Sequence, residues 1–272
     1  MKIVTTTTVF EPSYPCHKAI ERLAAAGFDG LDMGFDYLER VPDSPMWGPG
    51  RAAFCAELRA RAAALGVEYT HAHAPYHGND FSLLPTCVEA AGMLGAKYIV
   101  VHPTEWEADG SSVDGSDGFV RRNAELAYSW LDLAEKCGVV ILSENLLGGN
   151  AADPRTVARL AETVGSEYFG WCFDTGHAHL FGFRPEQLAE CAVAPRSLHL
   201  QDNRGKGDDH LIPGDGEIDF DATVRALKAL GYAGDCVLEA HKQSLNAPDG
   251  ERDAILRRLC AAGEAICAKF GY

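Results

Sequence analysis

The sequence predicts an α/β fold, a closed (β/α)8 TIM barrel that forms a single domain over residues 1–272. Three observations lead to it. Eight short apolar or β-branched runs alternate with Ala-rich amphipathic stretches, the pattern of a parallel sheet whose crossovers are helices. The 272 residues match the ~250 that such a barrel uses. From the third run onward, nearly every run ends in His, Asp or Glu, as expected if the strand ends converge. An open doubly wound sheet is the other parallel arrangement, but it usually carries a Gly-rich phosphate loop after its first strand. Here Thr8 is followed by Val9-Phe10-Glu11-Pro12.

The elements follow in order. The first run, Ile3–Thr8, leads to a helix over Lys18–Ala26 that stops at Gly27. The second, Gly30–Gly34, precedes a loop over Asp36–Gly50 with Tyr37, Met46 and Trp47, then a helix over Arg51–Leu65 stopped by Gly66. The third is Val67–His73. Gly95 marks the helix end before the fourth, Tyr98–His102. The Gly-, Ser- and Asp-rich segment Glu105–Gly118, which contains Trp106, has the composition of a mobile lid. A helix over Glu125–Lys136, stopped by Gly138, leads to Val139–Glu144. Phe169–Asp174 and Ser197–Gln201 are the sixth and seventh runs. Gly231 ends the helix before Cys236–Glu239, and a last helix covers Asp253–Lys269. Glycine just past a helix end supplies the left-handed cap that other residues adopt at a cost.

Composition excludes several classes. A hydrophobic fraction of 47% is ample for one large core. The formal net charge of -15 disfavours generic attraction to nucleic acid or anionic lipid. The opening MKIVTTTTVF lacks the apolar stretch of a signal peptide, and no run reaches the ~20 apolar residues of a membrane span. A cytoplasmic protein is expected, without a membrane partner. The nine cysteines show no Cys-x-x-Cys spacing, so free thiols are expected.

The run ends carry the chemistry. His73, His102, Glu144, Asp174, His177, His199, Asp208, His210 and Glu239 stand at strand ends or in the loops that follow. In a barrel those loops form one catalytic face. Imidazole with carboxylate suits Zn²⁺ or Mn²⁺, with Mg²⁺ or Co²⁺ as alternatives. Glu144 ends a nearly apolar run, where a carboxylate needs a partner or a cation. His71 alternates with His73 and reads more simply as a core histidine, and His179 as a cap or solvent-facing group. Asp208 and His210 lie in a polar loop that reads equally as a solvated charge cluster. Asp202 and His241 are expected to orient their neighbours. Trp47, Trp106 and Arg204 are candidate substrate contacts; for the two Trp residues, packing between loops and helices is the plainer alternative.

Phe173-Asp174-Thr175-Gly176-His177, Leu198-His199-Leu200-Gln201-Asp202, His210-Leu211-Ile212-Pro213-Gly214-Asp215-Gly216-Glu217 and Leu238-Glu239 resemble the xylose isomerase-like TIM barrel superfamily. The superfamily includes sugar phosphate isomerases and epimerases, ketose 3-epimerases and endonuclease IV. The resemblance implies a metal held by Glu144, Asp174, His199 and Glu239, with His177 touching substrate. The endonuclease IV comparison adds His73, His102, Asp208 and His210 as ligands of further zinc ions, and His177 is a further possible ligand. Asn150 stands where the 3-epimerases carry a second Glu, and Asp208-Asp209-His210 where the endonuclease has Asp-Arg-His.

These residues imply a metal-dependent isomerase or epimerase of a small sugar or similar hydroxy-ketone. The reaction would abstract a proton next to a carbonyl through a metal-stabilised enediolate. Glu144 and Glu239, on well-separated strands, would serve as the proton-transfer pair, with His177 as the third catalytic group. The alternatives are a zinc phosphodiesterase of the endonuclease IV kind and a dehydratase or lyase on the same scaffold. Pairing into a homo-oligomer is compatible with a barrel of this kind.

Overall fold

In the computed structural model, which describes residues 1–272, the eight apolar runs become eight strands. They are β1 (Ile3–Thr6), β2 (Gly30–Gly34), β3 (Glu68–His73), β4 (Tyr98–Val101), β5 (Val140–Glu144), β6 (Phe169–Asp174), β7 (Ser197–His199) and β8 (Cys236–Leu238). Each pairs in parallel with its sequence neighbour, and β1 also pairs with β8. The ring closes through Leu200. Its N–H donates to the Val237 carbonyl at 2.8 Å, and its carbonyl accepts the Glu239 N–H at 3.1 Å. The result is the (β/α)8 TIM barrel that the alternating runs predict.

Seven longer helices wrap the barrel: α1 (Cys16–Ala26), α3 (Arg51–Ala64), α4 (Leu84–Leu94), α5 (Gly115–Cys137), α6 (Pro154–Val164), α8 (Phe220–Ala229) and α10 (Asp249–Phe270). The short helices α2 (Phe35–Leu38), α7 (Thr175–Phe181) and α9 (Lys242–Leu245) follow the C-terminal ends of β2, β6 and β8. The main core lies between the helices and the outer strand faces and includes Ile99, Val101 and Ile141. Burying each such side chain contributes about 1.5–3 kcal/mol.

Strand alternation then decides what points inward. Val100, Val140, Leu142 and Cys172 form a separate small cluster inside the barrel. Two residues further on, with the same parity, come Glu144 and Asp174. His73 follows His71, and His199 follows Ser197, on the same inward face. The register pairs Asp174 with His199 directly. The strands thus place an apolar plug below and a ring of ligand-type side chains above it. His71 belongs to the plug. Its ring bonds Ser197 Oγ at 3.0 Å and Thr70 Oγ1 at 2.9 Å, and stacks on Tyr98. Burial pulls its pKa down to about 3, so it is a neutral core histidine.

Several boundaries differ from the sequence reading, three of them with a clear local cause. β1 stops at Thr6, whose hydroxyl accepts the Thr8 N–H at 3.2 Å and starts a tight turn over Thr7–Val9. The segment Asp36–Gly50 is not one loop, since it contains most of α2 and a turn at Pro45–Trp47. Helix α5 starts at Gly115, inside the expected lid, because Phe119, Val120, Asn123 and Ala124 form a buried face. The rest of that segment closes as a small hairpin bridged between Trp106 and Ser112. All nine cysteines are free. No helix is long and apolar enough to cross a membrane.

Candidate metal centre

Glu144 ends β5 with its carboxylate buried at the barrel axis. Its Oε1 accepts from His199 Nδ1 at 2.8 Å, while His73 Nε2 and His102 Nε2 each lie 3.4 Å from Oε2. His199 Nδ1 also lies 3.5 Å from Glu239 Oε2. Asp174 ends β6 and caps α7, accepting the His177 N–H at 2.6 Å through Oδ1. Asn145 locks the ends of β5 and β6 together, accepting the Asp174 N–H at 2.8 Å and donating to its carbonyl at 3.0 Å.

Three groups of side chains each bring one ligand atom per residue within 4.8 Å of the others. They are Glu144, Asp174, His199 and Glu239; His73, Glu144 and His199; and His177, Asp208 and His210. His102 joins the second through its contact with Glu144. Seven of the nine ligand-type residues read from the strand ends line one cleft, and Asp174 and His199 lie buried against Glu144 and Glu239.

The donor chemistry fits divalent cations. Asp174 Oδ2, His199 Nε2 and Glu239 Oε2 are buried with no hydrogen-bond partner, although such atoms are costly to leave unmet. The imidazoles add a second sign. His73 Nδ1 donates to the Ala74 carbonyl at 2.9 Å, His177 Nδ1 to that of Asn145 at 2.9 Å, and His210 Nδ1 to that of Glu239 at 2.8 Å. A carbonyl only accepts, so each Nδ1 carries the hydrogen and each Nε2 faces the site. There it meets carboxylate: Glu144 at 3.4 Å for His73, and Asp208 at 3.7 Å for His177 and 2.8 Å for His210. A lone pair against a carboxylate needs a proton or a cation between them. This is the arrangement by which backbone carbonyls orient metal-binding histidines.

The charges diverge in a useful way. Burial pushes Glu239 well above the usual carboxylate range, and the neighbouring Glu144 and Asp174 add to it. Burial alone would raise Glu144 too, but His199, His102 and His73 more than offset it and hold Glu144 well below that range. Burial would lower His73, yet Glu144, Asp36 and Asp32 lift it to about 9. Without a cation, His73 holds a proton at pH 7, and Glu239 is shifted toward its protonated form. Metal ligands must shed theirs. Ion binding at pH 7 is therefore expected to release about one proton or more per ion, and affinity should rise toward pH 9. Calorimetry in buffers of different ionisation heat measures this; binding with no proton release would contradict the assignment.

Three predicted substrate contacts lie outside the cleft lining. Trp47 does not line the cleft: its Nε1 donates to the Leu38 carbonyl at 3.0 Å and its ring packs edge-on to Phe35. Arg204 is exposed on the loop after β7, outside the cleft lining. Trp106 is 42% exposed and also lies outside the lining, although its neighbour Glu105 is part of it. His179 turns to Asn203, with Nδ1 2.7 Å from Oδ1. The sequence reading missed Asp32, Tyr76, Glu105, Leu146 and Leu147. Asp32 is inward on β2, fully buried, with neither oxygen partnered, and burial raises it to about 6. The signal that marked Glu144, a carboxylate in a buried strand, was present there as well.

Asp208 and His210 reach the cleft because Asp202 staples their loop. Its Oδ1 accepts the N–H groups of Asn203 and Ile218, and its Oδ2 those of Gly214 and Gly216, at 2.9–3.1 Å. Position 216 has to be glycine, since a Cβ there would lie 2.2 Å from Asp202 Oδ1. Asp202→Ala should cost about 2–3 kcal/mol, through buried N–H groups left unmet. It should also weaken ion binding by the third group; a denaturant titration and a metal titration check both effects.

Comparison with known proteins places this geometry among others. The family described as xylose isomerase-like TIM barrel matches residues 20–260. The uncharacterized protein y4fM of Sinorhizobium fredii is 32% identical over 157 residues, covering 55% of this chain and 49% of that protein. The chain thus spans about half the length of that relative. A "Probable endonuclease 4" of Mycobacterium leprae is 32% identical over 232 residues, covering 77% of this chain and 85% of the relative. A crystal structure of D-psicose 3-epimerase in the presence of D-fructose superposes with a TM-score of 0.77 over 100% of both chains at 17% identity. That last likeness is one of fold.

Proposed function

The chain belongs to the xylose isomerase-like TIM barrel family, and we propose that within it the protein is a divalent-metal-dependent isomerase or epimerase of a small sugar or related hydroxy-ketone. One observation carries this reading. Glu144 from the end of β5 and Glu239 from the end of β8 enter the same four-residue group with Asp174 and His199. Two carboxylates from separate strands beside one cation site can serve as the base and the acid of a proton transfer.

Glu144, Asp174, His199 and Glu239 would hold the cation. Bound there, it would polarise a carbonyl and offset negative charge developing on its oxygen. The chain's own groups do the rest. Glu144 takes the proton next to the carbonyl, and Glu239, approaching from another strand, delivers a proton drawn from solvent. His177, its Nδ1–H anchored on Asn145, turns Nε2 toward the cleft and fixes a substrate hydroxyl. Glu144, Asp174 and His199 are buried while Glu239 is partly exposed to the cleft, so the group meets solvent on the Glu239 side.

A specific observation favours a second reading, hydrolysis of a phosphodiester. The groups around His73 and around Asp208 would hold further ions, which proton transfer on a sugar does not require, and two or more ions suit phosphoryl chemistry. One comparison separates the two. The metal-loaded protein is incubated with a panel of free ketoses in deuterium oxide and, separately, with abasic-site DNA. We expect deuterium at the carbon next to the carbonyl, intact DNA, and exchange lowered roughly 10²–10⁴-fold in Glu144→Gln. DNA cleavage without exchange would replace the first reading by the second, and exchange unchanged in Glu144→Gln would remove Glu144 as the base.

A further inference from the structure

The cleft over the candidate centre, about 470 Å³ in volume, has two chemically different halves. Its floor is carboxylate and imidazole. Its apolar lining comes from Tyr76, Pro103, Leu146 and Leu147 after the adjacent strands β3, β4 and β5, with Tyr37 after β2. Tyr76 and Leu147 are 45% and 51% exposed, so the apolar strip continues outward to the mouth.

This wall is built in advance. The Tyr76 ring rests 5.1 Å from that of His102. Leu147 rides on the loop after β5, which Glu105 of the β4 loop clamps. Glu105 Oε2 accepts from Asn150 Nδ2 at 2.8 Å, and Oε1 accepts the Ala151 N–H at 3.0 Å. The Leu146 N–H in turn donates to the Ala151 carbonyl at 3.0 Å. The clamp closes because residue 149 is glycine: its φ is +68°, and a Cβ there would lie 2.5 Å from Glu105 Oε1. A pre-ordered wall lowers the entropy lost on binding.

Charge points the same way. No Lys or Arg lines the cleft. Lys242 nearby donates to the Asp208 carbonyl, and the Arg40 guanidinium lies over the Tyr37 ring at 4.9 Å. A phosphate group inside would face Asp36, Glu105, Asp208 and Glu239 with no Lys or Arg in the lining to receive it. A neutral ring would meet the wall with its C–H face. The volume falls in the ~300–1,000 Å³ range of clefts that enclose drug-sized molecules, so it has room beyond one small hydroxy-carbonyl unit.

We infer that the substrate is uncharged and carries a ring or similar apolar-faced substituent, seated on Tyr76 and Leu147, beyond the hydroxy-carbonyl unit that the centre takes. This inference rests on the isomerase reading above. The test is calorimetric binding to the full-length Mn²⁺-loaded protein of three probes: methyl β-D-glucopyranoside, phenyl β-D-glucopyranoside and D-glucose 6-phosphate. The phenyl glycoside should bind about tenfold tighter than the methyl glycoside, and the phosphate no tighter than the methyl glycoside. Tyr76→Ala with Leu147→Ala should erase the phenyl preference. Both side chains are about half exposed, and an unchanged melting temperature verifies the fold of the double variant. Tighter binding of the phosphate, no phenyl preference, or a preference that survives the double substitution would overturn the inference. The deuterium-exchange experiment reports on the reaction separately. A phenyl preference without exchange would leave the apolar subsite standing and remove the isomerase reading.

Discussion

Glu239→Gln is expected to lower proton transfer by roughly 10²–10⁴-fold while leaving the metal-free protein as stable as before, or more so, at pH 7. Substitutions of buried polar residues usually destabilise, so the pairing is diagnostic. In the metal-free fold, burial and the nearby Glu144 and Asp174 shift Glu239 well above the usual carboxylate range, toward its protonated form. In the unfolded chain it ionises near ~4.3. Its raised folded value therefore costs stability at every pH above the unfolded value, and the cost vanishes below it. Glutamine is neutral in both states and carries no such cost. The gain should appear at pH 7 and fade as the pH falls below ~4. With the metal present the order reverses, because the variant lacks one ligand of the ion. Melting curves of both proteins, with and without Mn²⁺, at pH 7 and pH 4 provide the check. A metal-free variant clearly less stable at pH 7 would show that Glu239 contributes to the fold as an ionised partner.

Removal of the metal should produce the largest change in stability. A ligand at a thousand times its dissociation constant contributes about 4 kcal/mol. For a chain of this size that corresponds to a fall of roughly 8–16 °C in melting temperature on chelation. The direction follows from the crowded carboxylates. Asp32, Asp36, Glu144, Asp174, Asp208 and Glu239 share this region, and no Lys or Arg lines the cleft to balance them. Re-addition of Mn²⁺ or Zn²⁺ should restore the lost stability, and Asp174→Asn should abolish most of the restoration. A melting temperature unmoved by chelator, in protein shown to carry metal beforehand, would mean that the ion does not hold these carboxylates together.

Much of this site was legible in the sequence, for a physical reason. An apolar strand with a carboxylate or imidazole at its end has few ways to fold. The strand parity that buries Val140 and Leu142 also sends Glu144 inward, and Ser197 does the same for His199. Asp208 and His210 looked equally like a solvated loop. What decided their place was Asp202, whose four backbone N–H contacts fold that loop over the cleft.

Loop residues were the least legible. Trp47 and Trp106 suit a pocket wall or a packing contact equally well by composition. The Leu38 carbonyl happened to claim the Trp47 indole. Tyr76, Glu105 and Leu147 reach the cleft through contacts between loops that are remote in sequence, and no local pattern encodes those contacts. The start of α5 was misjudged because Gly115-Ser116-Asp117-Gly118 reads as a loop, whereas burial of Phe119 and Val120 outweighed that weak local preference.

The central claim is that Glu144, Asp174, His199 and Glu239 surround one cation at the mouth of the barrel. Crystals of the protein soaked with Mn²⁺, with anomalous scattering recorded at the manganese edge, test it directly. The account predicts an anomalous peak between these four side chains, bonded to at least one atom of each, and its loss in His199→Ala. A fully occupied manganese elsewhere, with these four side chains unmoved and no peak among them, would contradict it.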